Sequence, residues 1–453
     1  MGGISFWWQQ IGLPPRRASL SGDSQADVCI IGAGYTGLWT ALALKSARPD
    51  LDILIVEAAF AGFGASGRNG GWLTGGFAWS HDRYARSAGP APVRAMVSAM
   101  NDTVAEVIAQ CDRLGIDAEI TPTDELLVAT SPAQWHRLQA EYRHRSHWGE
   151  ADRLRLLSAE ETRQRIEVPG TVGAMVVSGV ARIQPAKLVQ GLARAAEMQG
   201  VRIVEGTRVT GVAPGRVSTD HGDVCAAVIL RCTEGFTATI SGHRRDLLPL
   251  NSAQIITEPL PPGTWAKIGW QGHEIMGDFA HSYCYCQRTP DGRIVMGGRG
   301  TPYRYGSARD EQGRPDLATI VQLTDRLHRL FPATRPHAIM HAWCGVLGVP
   351  RDWCANVAFD PRTGIGHAGG YVGVGVATSN LAGRTLAALA LGADDPLTRL
   401  PWVNRPSRRW EPEPLRWLGL RGMYAAYALA DRAEGRGGPP SRLAGLANWL
   451  TGR

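Results

Sequence analysis

The sequence predicts an α/β protein with a discontinuous Rossmann-like nucleotide-binding domain and a second, β-rich (α+β) domain. The apolar run at residues 27–31 enters a glycine-rich turn and then a helical pattern, and a second apolar run at 52–56 is followed by an acidic residue. Residues 247–336 contain short apolar runs of strand length separated by turn residues. Because patterns of the first domain recur on both sides of these runs, we expect that domain to be assembled from separate segments.

The glycines after the first strand form a dinucleotide-binding fingerprint. Gly32 permits the tight turn, Gly34 lets backbone approach a pyrophosphate, and Gly37 lets the helix pack close to the strand. Glu57 stands 20 residues after Gly37, where an acidic side chain accepts hydrogen bonds from a ribose hydroxyl. The alternative is a structural βαβ unit with accidental glycines. The strand, glycines, helix, second strand and acid follow one another at the spacing of the fingerprint, which favours nucleotide binding.

Composition places the chain among globular proteins and excludes several classes. Its 453 residues, 44% apolar and 20% charged, favour two domains with a large core. Only three residues are lysines, so 45 of the 48 basic residues are arginines; they are spread along the chain, and the net charge of +7 does not indicate nucleic-acid binding. The eight cysteines lack metal-ligand spacing, so we expect no metal site. With no membrane-length apolar run and no signal-peptide pattern, the cytoplasm is the expected location.

Residues 62–76 depart from an ordinary Rossmann domain. Seven of these fifteen residues are glycines, and Arg68 and Asn69 are embedded among them. Such a segment predicts a backbone-lined loop that favours anions.

Further elements follow from periodicity and turn residues. Apolar residues at helical spacing predict a helix over 93–114, and a proline start with a glycine stop predicts another over 186–199. The Asp291-Gly292 pair between two strand-like runs predicts a hairpin. The remaining expected strands cover residues 125–129, 201–204, 224–230 and 252–257.

These motifs together resemble the D-amino-acid oxidase superfamily of FAD enzymes, nearest its γ-glutamylputrescine oxidase-like branch. The resemblance rests on the fingerprint with Glu57, on the loop at 64–71 and on the glycine-rich segment at 369–384, and covers roughly residues 25–435. It implies FAD as cofactor and a helix over 378–391 whose N-terminus points at the flavin. It assigns cofactor-binding roles to Gly32, Gly34, Tyr35, Thr36, Gly37, Glu57, Ala58, Gly64, Ala65, Ser66, Arg68, Asn69, Gly70, Gly71, Trp72, Val209, Gly373, Gly375, Val376, Ala377 and Thr378.

The resemblance also implies the reaction, which is oxidation of a C–N bond of a small-molecule amine to an imine by hydride transfer to flavin N5. The candidates for catalytic roles are Trp72, Tyr283, Arg299 and Trp343. One face of the hairpin sheet, carrying either Tyr283 and Tyr285 or Cys284 and Cys286, is expected to wall the flavin. A dehydrogenase of a hydroxy acid or other C–H donor, and a non-catalytic flavoprotein, remain alternatives.

Departures from relatives affect the expected substrate and electron acceptor. Sarcosine-oxidase relatives hold a substrate carboxylate with a lysine where this chain has Val374 and Ala377, so a larger amine is expected unless Arg299 or Arg304 binds a carboxylate. The lysine with which those relatives activate oxygen is also missing, so the acceptor is either oxygen or another molecule. Cys344 lies six residues before Pro350, the spacing of the cysteine that tethers flavin in sarcosine oxidases.

The expected organisation assigns each segment to a domain. A basic amphipathic helix near 415–433, with Leu418, Ala425 and Leu429 on one side, is expected to pack on the FAD-binding domain, with membrane binding as the alternative. The segments are 20–91, 156–246 and 337–395 for the FAD-binding domain, 92–155 and 247–336 for the substrate domain, and 396–453 for a helical tail.

Overall fold

The computed structural model describes residues 3–77, 80–299, 302–309 and 312–451. The helices are α1 Phe6–Ile11, α2 Tyr35–Ala47, α3 His81–Ala88, α4 Pro90–Arg113, α5 Pro132–Arg145, α6 Ala159–Arg163, α7 Pro185–Met198, α8 Pro262–Ile268, α9 Leu317–Leu330, α10 Gly375–Ala390, α11 Leu415–Glu434 and α12 Arg442–Thr451. The strands are β1 Ser24–Ile31, β2 Ile53–Val56, β3 Trp72–Leu73, β4 Thr121–Ala129, β5 Leu154–Ser158, β6 Gly173–Arg182, β7 Arg202–Val204, β8 Val209–Ala213, β9 Arg216–Thr219, β10 Gly222–Arg231, β11 Leu248–Thr257, β12 Ile275–Asp278, β13 Tyr285–Arg288, β14 Ile294–Gly298, β15 Ile339–Val349, β16 Asn356–Asp360 and β17 Ile365–Gly369.

The first sheet has the order β16-β17-β10-β1-β2-β7, and its strands from β17 to β7 are parallel. Val28 and Ile30 of β1 pack with α2, α7 and α10, whereas Cys29 and Ile31 pack with the β8–β9 hairpin and β10. Both faces are therefore covered, which explains the uninterrupted apolar runs of β1 and β2. This sheet confirms the predicted α/β class.

The second sheet has the order β15-β11-β14-β13-β12-β4-β6-β3, with β5 on β6, and its pairs are antiparallel except β12 with β4. The predicted hairpin forms between β13 and β14, and Gly292 in its turn has a φ of +74°. One face of the sheet packs against α9 through Leu323, Leu327 and Leu330. The other face borders the functional site.

The sheets correct two expected domain boundaries. Residues 156–246 were assigned to the FAD-binding domain, but β6 within them pairs with β4 and β3 of the second sheet. β15, expected in the same domain, pairs along its length with β11. An apolar run of strand length has the same sequence pattern in either sheet. Only its pairing with strands far away in the chain decides which sheet it joins.

The tail helix α11 presents the opposite face from the one expected. Leu418 and Leu429 are 55% and 56% exposed, whereas Leu420, Met423 and Tyr427 are buried. These three pack in a cluster with β11 and β15 of the second sheet, so the expected packing on the FAD-binding domain is wrong. In the described part of the chain, no helix is long and apolar enough to cross a membrane.

The end of α11 is tied to the second sheet by hydrogen bonds. Glu434 accepts from Arg137 Nη1 at 2.6 Å and pairs with His281 Nε2 at 3.0 Å, and Asp431 accepts from the backbone N–H groups of His281 and Ser282. His281, Asp431 and Glu434 are the group of potential metal ligands among the described residues. Their carboxylates already have these partners, so the cluster serves as a clasp for the tail.

Candidate functional site

A cavity of about 220 Å³, here called the nucleotide trough, lies at the carboxyl ends of β1 and β2. Residues from six separate segments of the chain line it. The carboxyl ends of the strands are where open parallel sheets bind nucleotides. The sequence-predicted residues that line it are Gly32, Gly34, Tyr35, Thr36, Glu57, Ala58, Gly64, Ala65, Ser66, Asn69, Val209, Gly373, Gly375 and Val376.

The three fingerprint glycines have different roles. Gly32 has a φ of +104°, and a Cβ there would lie 2.8 Å from the Cys232 carbonyl oxygen. A Cβ at Gly37 would lie 2.1 Å from the Gly32 carbonyl oxygen, so Gly37 brings α2 onto β1 and lines no cavity itself. A Cβ at Gly34 would meet only Ser66 Oγ, at 3.0 Å. Gly34 is thus needed by the trough rather than by the packing of the fold.

Glu57 lies in the trough as a half-buried carboxylate. Its Oε2 accepts from Ala33 N at 2.9 Å and its Oε1 accepts from Ala59 N at 2.8 Å. Burial raises the pKa of Glu57, while these two N–H groups oppose the shift. Each carboxylate oxygen retains acceptor capacity, which suits the hydroxyl groups of a ribose.

The glycine-rich loop is held in shape by its own polar side chains. Ser66 Oγ accepts from Tyr35 N at 2.8 Å, at the start of α2. Asn69 accepts from Gly71 N at 2.8 Å and donates to the carbonyl groups of Ala65 and Ser66. These bonds leave the loop backbone facing the trough at the N-terminus of α2, a site that favours pyrophosphate.

Arg68 differs from its expected role as an anion-binding donor. Its side chain is buried, donates from Nε to the Phe63 carbonyl at 2.7 Å and from Nη1 to the Cys344 carbonyl at 3.1 Å, and lies over the Phe63 ring. Its own carbonyl accepts from Gln254 Nε2 and from Trp343 Nε1. Arg68 therefore joins the loop to β11 and β15. Gly70 and Trp72, also expected at the cofactor, line a neighbouring cavity with Arg68, whereas Gly71 lines neither cavity.

The C-terminal helix begins three residues earlier than expected. α10 starts at Gly375, so Gly375 and Val376 reach the trough, whereas Ala377 and Thr378 line neither cavity. Thr378 Oγ1 donates to the Val374 carbonyl instead. The glycine pattern identified the segment, but it did not fix the first helical residue.

Glu234 is a part of the trough that sequence reasoning missed. Its carboxylate accepts from Tyr371 N at 3.0 Å and Gly370 N at 3.3 Å, and so holds the segment that leads into α10. Burial raises the pKa of Glu234 to about 7. Nothing in its local sequence distinguishes it from a surface acid.

A second cavity of about 540 Å³, here called the aromatic cavity, meets the trough. The two share Ala65, Asn69, Leu347, Gly373 and Val376. Trp72, Tyr283, Tyr285 and Tyr427 supply its aromatic walls, and its lining in the described residues includes no lysine. A reactant in this cavity would therefore face a nucleotide-linked group at the end of the trough.

The aromatic wall settles which face of the hairpin borders the site. Tyr283 and Tyr285 line the aromatic cavity, and Tyr285 Oη is 3.1 Å from Ser252 Oγ. Trp72 Nε1 donates to the Cys286 carbonyl at 3.1 Å, with its ring edge-on to Tyr285. Cys286 packs in the hydrophobic cluster that contains α9, and Cys284 belongs to that cluster too, although it also lines the cavity. The tyrosines provide the wall.

Arg299 is a cation of the aromatic cavity that has no carboxylate partner among the described residues. Its Nη2 donates to Tyr283 Oη at 3.2 Å and its guanidinium lies over the Tyr283 ring. Its Nη1 is buried without a hydrogen-bond partner. Arg304, the other expected carboxylate-binding arginine, does not line the cavity.

The acidic groups of the aromatic cavity differ in how they are paired. Arg137 binds Glu434, and Arg145 binds Glu150 through two 2.8 Å bonds. Glu125 is buried, and its Oε2 accepts a long hydrogen bond of 3.5 Å from Thr74 Oγ1. Burial raises the pKa of Glu125, and the charge of Arg145 opposes the shift. Among the described residues that line the cavity, Arg299, Glu125 and Glu141 have no ion-pair partner, and Glu125 is the buried acid of the three.

Trp343 and Cys344 lie away from both cavities. Trp343 is buried and stacks against His341, so it positions the loop rather than touching a reactant. Cys344 stands opposite Ala253 in the sheet, with its Sγ 3.9 Å from Asn251 Oδ1, and lines neither cavity. This placement favours Cys344 as a small residue tolerated in a glycine position over a covalent flavin link through its thiol, the less favoured of the two interpretations of its spacing.

The donor set fits FAD in three respects. The trough has an acid for a ribose, a helix N-terminus for a pyrophosphate and a second helix start, at Gly375, for the electron-rich end of a flavin. A parallel sheet with a trough of this composition, joined to a β-rich domain that supplies a reactant cavity, defines a flavin-dependent oxidoreductase.

Comparison with known proteins gives the family. Residues 27–389 match the family described as DAO, FAD dependent oxidoreductase, and the chain belongs to that family. It is 28% identical over 419 residues to the gamma-glutamylputrescine oxidoreductase of Escherichia coli (strain K12), covering 90% of this chain and 93% of that protein. It is also 28% identical over 428 residues to the probable oxidoreductase OrdL of Rhizobium meliloti (strain 1021), covering 89% of this chain and 92% of that protein.

Solved structures share the fold. Glycine oxidase from Geobacillus kaustophilus superposes with a TM-score of 0.67 at 20% identity, covering 82% of this chain and 96% of that chain. L-proline dehydrogenase from P. horikoshii superposes with a TM-score of 0.68 at 17% identity, covering 84% of this chain and 98% of that chain. The protein is therefore an FAD-dependent oxidoreductase of the predicted fold.

Proposed function

We propose that the protein oxidises a C–N bond of an amine that also carries a carboxylate, forming an imine. The supporting observation is the junction of the aromatic cavity with the nucleotide trough, with Arg299, which has no carboxylate partner in the described part of the chain, in the same cavity. FAD, when bound, supplies the two-electron acceptor for the hydride, at N5. The amine carbon gives up the hydride, the nitrogen gives up a proton, and water then hydrolyses the imine to a carbonyl compound and a released amine.

Arg299 supports the carboxylate part of the proposal. A buried guanidinium that lacks an anionic partner binds a carboxylate strongly, because both charges are otherwise costly to bury. Tyr283, hydrogen-bonded to Arg299, fixes its orientation. Relatives whose names specify amino acid or glutamyl-amine substrates are consistent with a carboxylate-bearing amine.

Glu125 supports a second charge on the substrate. β12, β13 and β14 extend the sheet from β4, which carries Glu125, to β14, after which Arg299 follows. Three strand spacings place the two backbones roughly 14 Å apart. An extended substrate with a carboxylate at one end and an ammonium at the other would bind both groups, whereas a substrate of glycine's size would reach only one.

The aromatic residues exclude water while the substrate is held. Trp72, Tyr283 and Tyr285 present ring surface to the cavity and have their polar atoms engaged with protein groups. Such walls strengthen the electrostatic contacts of Arg299 and Glu125 with a bound substrate. With no lysine in the described lining, we propose an electron acceptor other than oxygen.

The test is anaerobic bleaching of the purified, FAD-loaded protein. We expect the flavin absorbance at about 450 nm to be lost with extended amino-carboxylates. Hydroxy acids of matched length should bleach it slowly or not at all. Reoxidation by a quinone or dye should exceed reoxidation by air. Bleaching by hydroxy acids alone would contradict amine oxidation, and bleaching by none of the compounds would favour a non-catalytic flavoprotein.

A further inference from the structure

A third cavity, here called the arginine cavity, lies at the carboxyl end of β10 and has a volume of about 350 Å³. It is lined by Arg231, Arg405, Arg408 and Arg409, and by the single lining carboxylate Asp246. It shares no lining residue with the nucleotide trough or the aromatic cavity. The flavin and substrate roles therefore leave it unexplained.

The charges around this cavity do not balance. Asp246 accepts from His243 at 2.6 Å, and its ion pairs with Arg231 and Arg409 are long, at 3.5 and 3.6 Å. Arg405 is paired with Asp352, which lies outside the lining. Four guanidinium groups thus share two carboxylates, and Arg408 has no ion pair among the described residues. Two positive charges remain in excess.

Two buried donors of residues that line the arginine cavity are poorly satisfied. Arg231 is 9% exposed, and its Nη1 has only the long 3.5 Å contact with Asp246. Arg405 Nε is likewise buried and unsatisfied. A buried donor without an acceptor costs free energy, more so when it is charged, and a bound acceptor removes that cost. The volume exceeds the roughly 30 Å³ that one water molecule occupies in the liquid, so the cavity has room for a larger ligand.

We propose that the arginine cavity binds a polyvalent oxyanion, either a phosphate group or a compact di- or tricarboxylate. Guanidinium groups recognise both through paired N–H donors, and the excess charge requires at least two negative charges on the ligand. Asn356, whose Oδ1 is buried without a partner, adds an acceptor for a hydroxyl or a protonated oxygen of the ligand. A monovalent anion would leave part of the charge uncompensated.

The cavity borders the cofactor site through one short element. Arg231 lines the arginine cavity and the next residue, Cys232, lines the trough. The 3₁₀ turn Glu234–Thr239 also faces both, with Glu234 and Phe236 on the trough and Thr237 on the arginine cavity. An anion bound there would order the turn that carries Glu234.

The experiment measures thermal unfolding of the FAD-loaded protein in phosphate, in citrate and in chloride at equal ionic strength. We expect a saturable rise in Tm of about 2–4 °C with phosphate, citrate or both, and no such rise with chloride. Phosphate alone would identify a phosphate group as the ligand chemistry, and citrate alone a polycarboxylate. Calorimetric titration of the same preparation should give one site per chain.

Matched variants locate the binding. The double variant Arg408→Gln/Arg409→Gln removes two exposed arginines of the cavity, and we expect its anion affinity to fall at least about 10-fold. Arg432→Gln/Arg436→Gln removes the same charge from exposed positions of the tail and should keep the full Tm response. Arg231→Met, if it folds, should abolish the response. Equal responses in the two double variants, or no saturable rise in the parent protein, would overturn the proposal.

Discussion

The nucleotide trough is built largely around turns and helix starts, whereas the aromatic cavity beside it is built around a few large or charged side chains. Many residues of the trough lie in glycine-rich turns and at the starts of α2 and α10, which are local features of the chain. The cavity takes Trp72, Glu125, Arg299 and Tyr427 from four distant segments. This difference explains why the cofactor can be predicted more firmly than the substrate. The cofactor site depends on local turns and helix starts, whereas substrate choice depends on a few side chains that long-range pairing brings together.

The largest expected effect is at the trough. Gly34→Val should abolish FAD retention while the protein stays folded, because its added carbons enter the trough and the first of them meets only Ser66 Oγ. Flavin content and far-UV circular dichroism measure the two quantities. Gly263→Val, at a position with open space around its Cβ, is the control and should keep its FAD. Full FAD occupancy in Gly34→Val would show that backbone approach is not what the trough needs.

The cavity should respond in the opposite way, with FAD retained and substrate binding lost. Arg299→Gln removes the unpaired guanidinium, and we expect KM for a carboxylate-bearing amine to rise roughly 10- to 100-fold with flavin content unchanged. Arg304→Gln, outside the cavity lining, is the matched control and should leave KM as it was. An unchanged KM in Arg299→Gln would contradict the proposal that the substrate carries a carboxylate.

Turns and helix starts of the site could be predicted from sequence, and the family resemblance also named Tyr283 and Arg299 of the aromatic cavity, but it did not name Glu125. Gly32, Gly34, Glu57 and Val376 were predictable because each belongs to a turn or helix start with its own signature. The loop that carries Arg68 could be predicted, but its contact with the Cys344 carbonyl of β15 could not, since β15 lies far away in the chain.

The tail shows a second limit of sequence reasoning. The spacing of Leu418 and Leu429 predicted a helix correctly, but α11 carries apolar residues on more than one side and buries Met423 and Tyr427 instead. Periodicity gives the stripes of a helix, while the neighbouring surface selects which stripe is covered. Glu234 had no signal at all, because its role depends on Gly370 and Tyr371, more than 130 residues away.

A smaller effect should separate the two charged ends of the cavity. Glu125→Gln removes the unpaired carboxylate, and we expect KM to rise about 10-fold for a substrate with a remote ammonium. An uncharged analogue of the same length should bind equally well to both proteins. A similar rise for both compounds would mean that Glu125 shapes the cavity without reading charge.

The smallest expected effect concerns His81, a buried histidine at the start of α3. His81 stacks between Phe77 and Trp148, and burial lowers its pKa to about 3. A histidine in the unfolded chain has a pKa of about 6.5, so it binds a proton that His81 in the folded protein does not bind. The free energy of unfolding therefore falls as the pH drops from about 6.5 towards about 3.

His81→Phe should therefore lose less stability than the parent protein between pH 7 and pH 5, by at most about 1.4 kcal/mol per pH unit. Thermal or urea unfolding at the two pH values gives the difference. His136→Phe changes an exposed histidine that has no ion pair among the described residues, and it should follow the parent protein. Parallel curves for His81→Phe and the parent would assign the acid sensitivity to other groups.

The clasp between α11 and the second sheet also bears on the order in which the two cavities are completed during synthesis of the chain. Tyr427 completes the cavity wall, and Glu434 fastens it to Arg137 and His281. A chain emerging from the ribosome, N-terminus first, contains every segment of the trough before it contains this wall. The nascent protein thus contains the residues of its cofactor site before it contains the α11 wall of its reactant cavity.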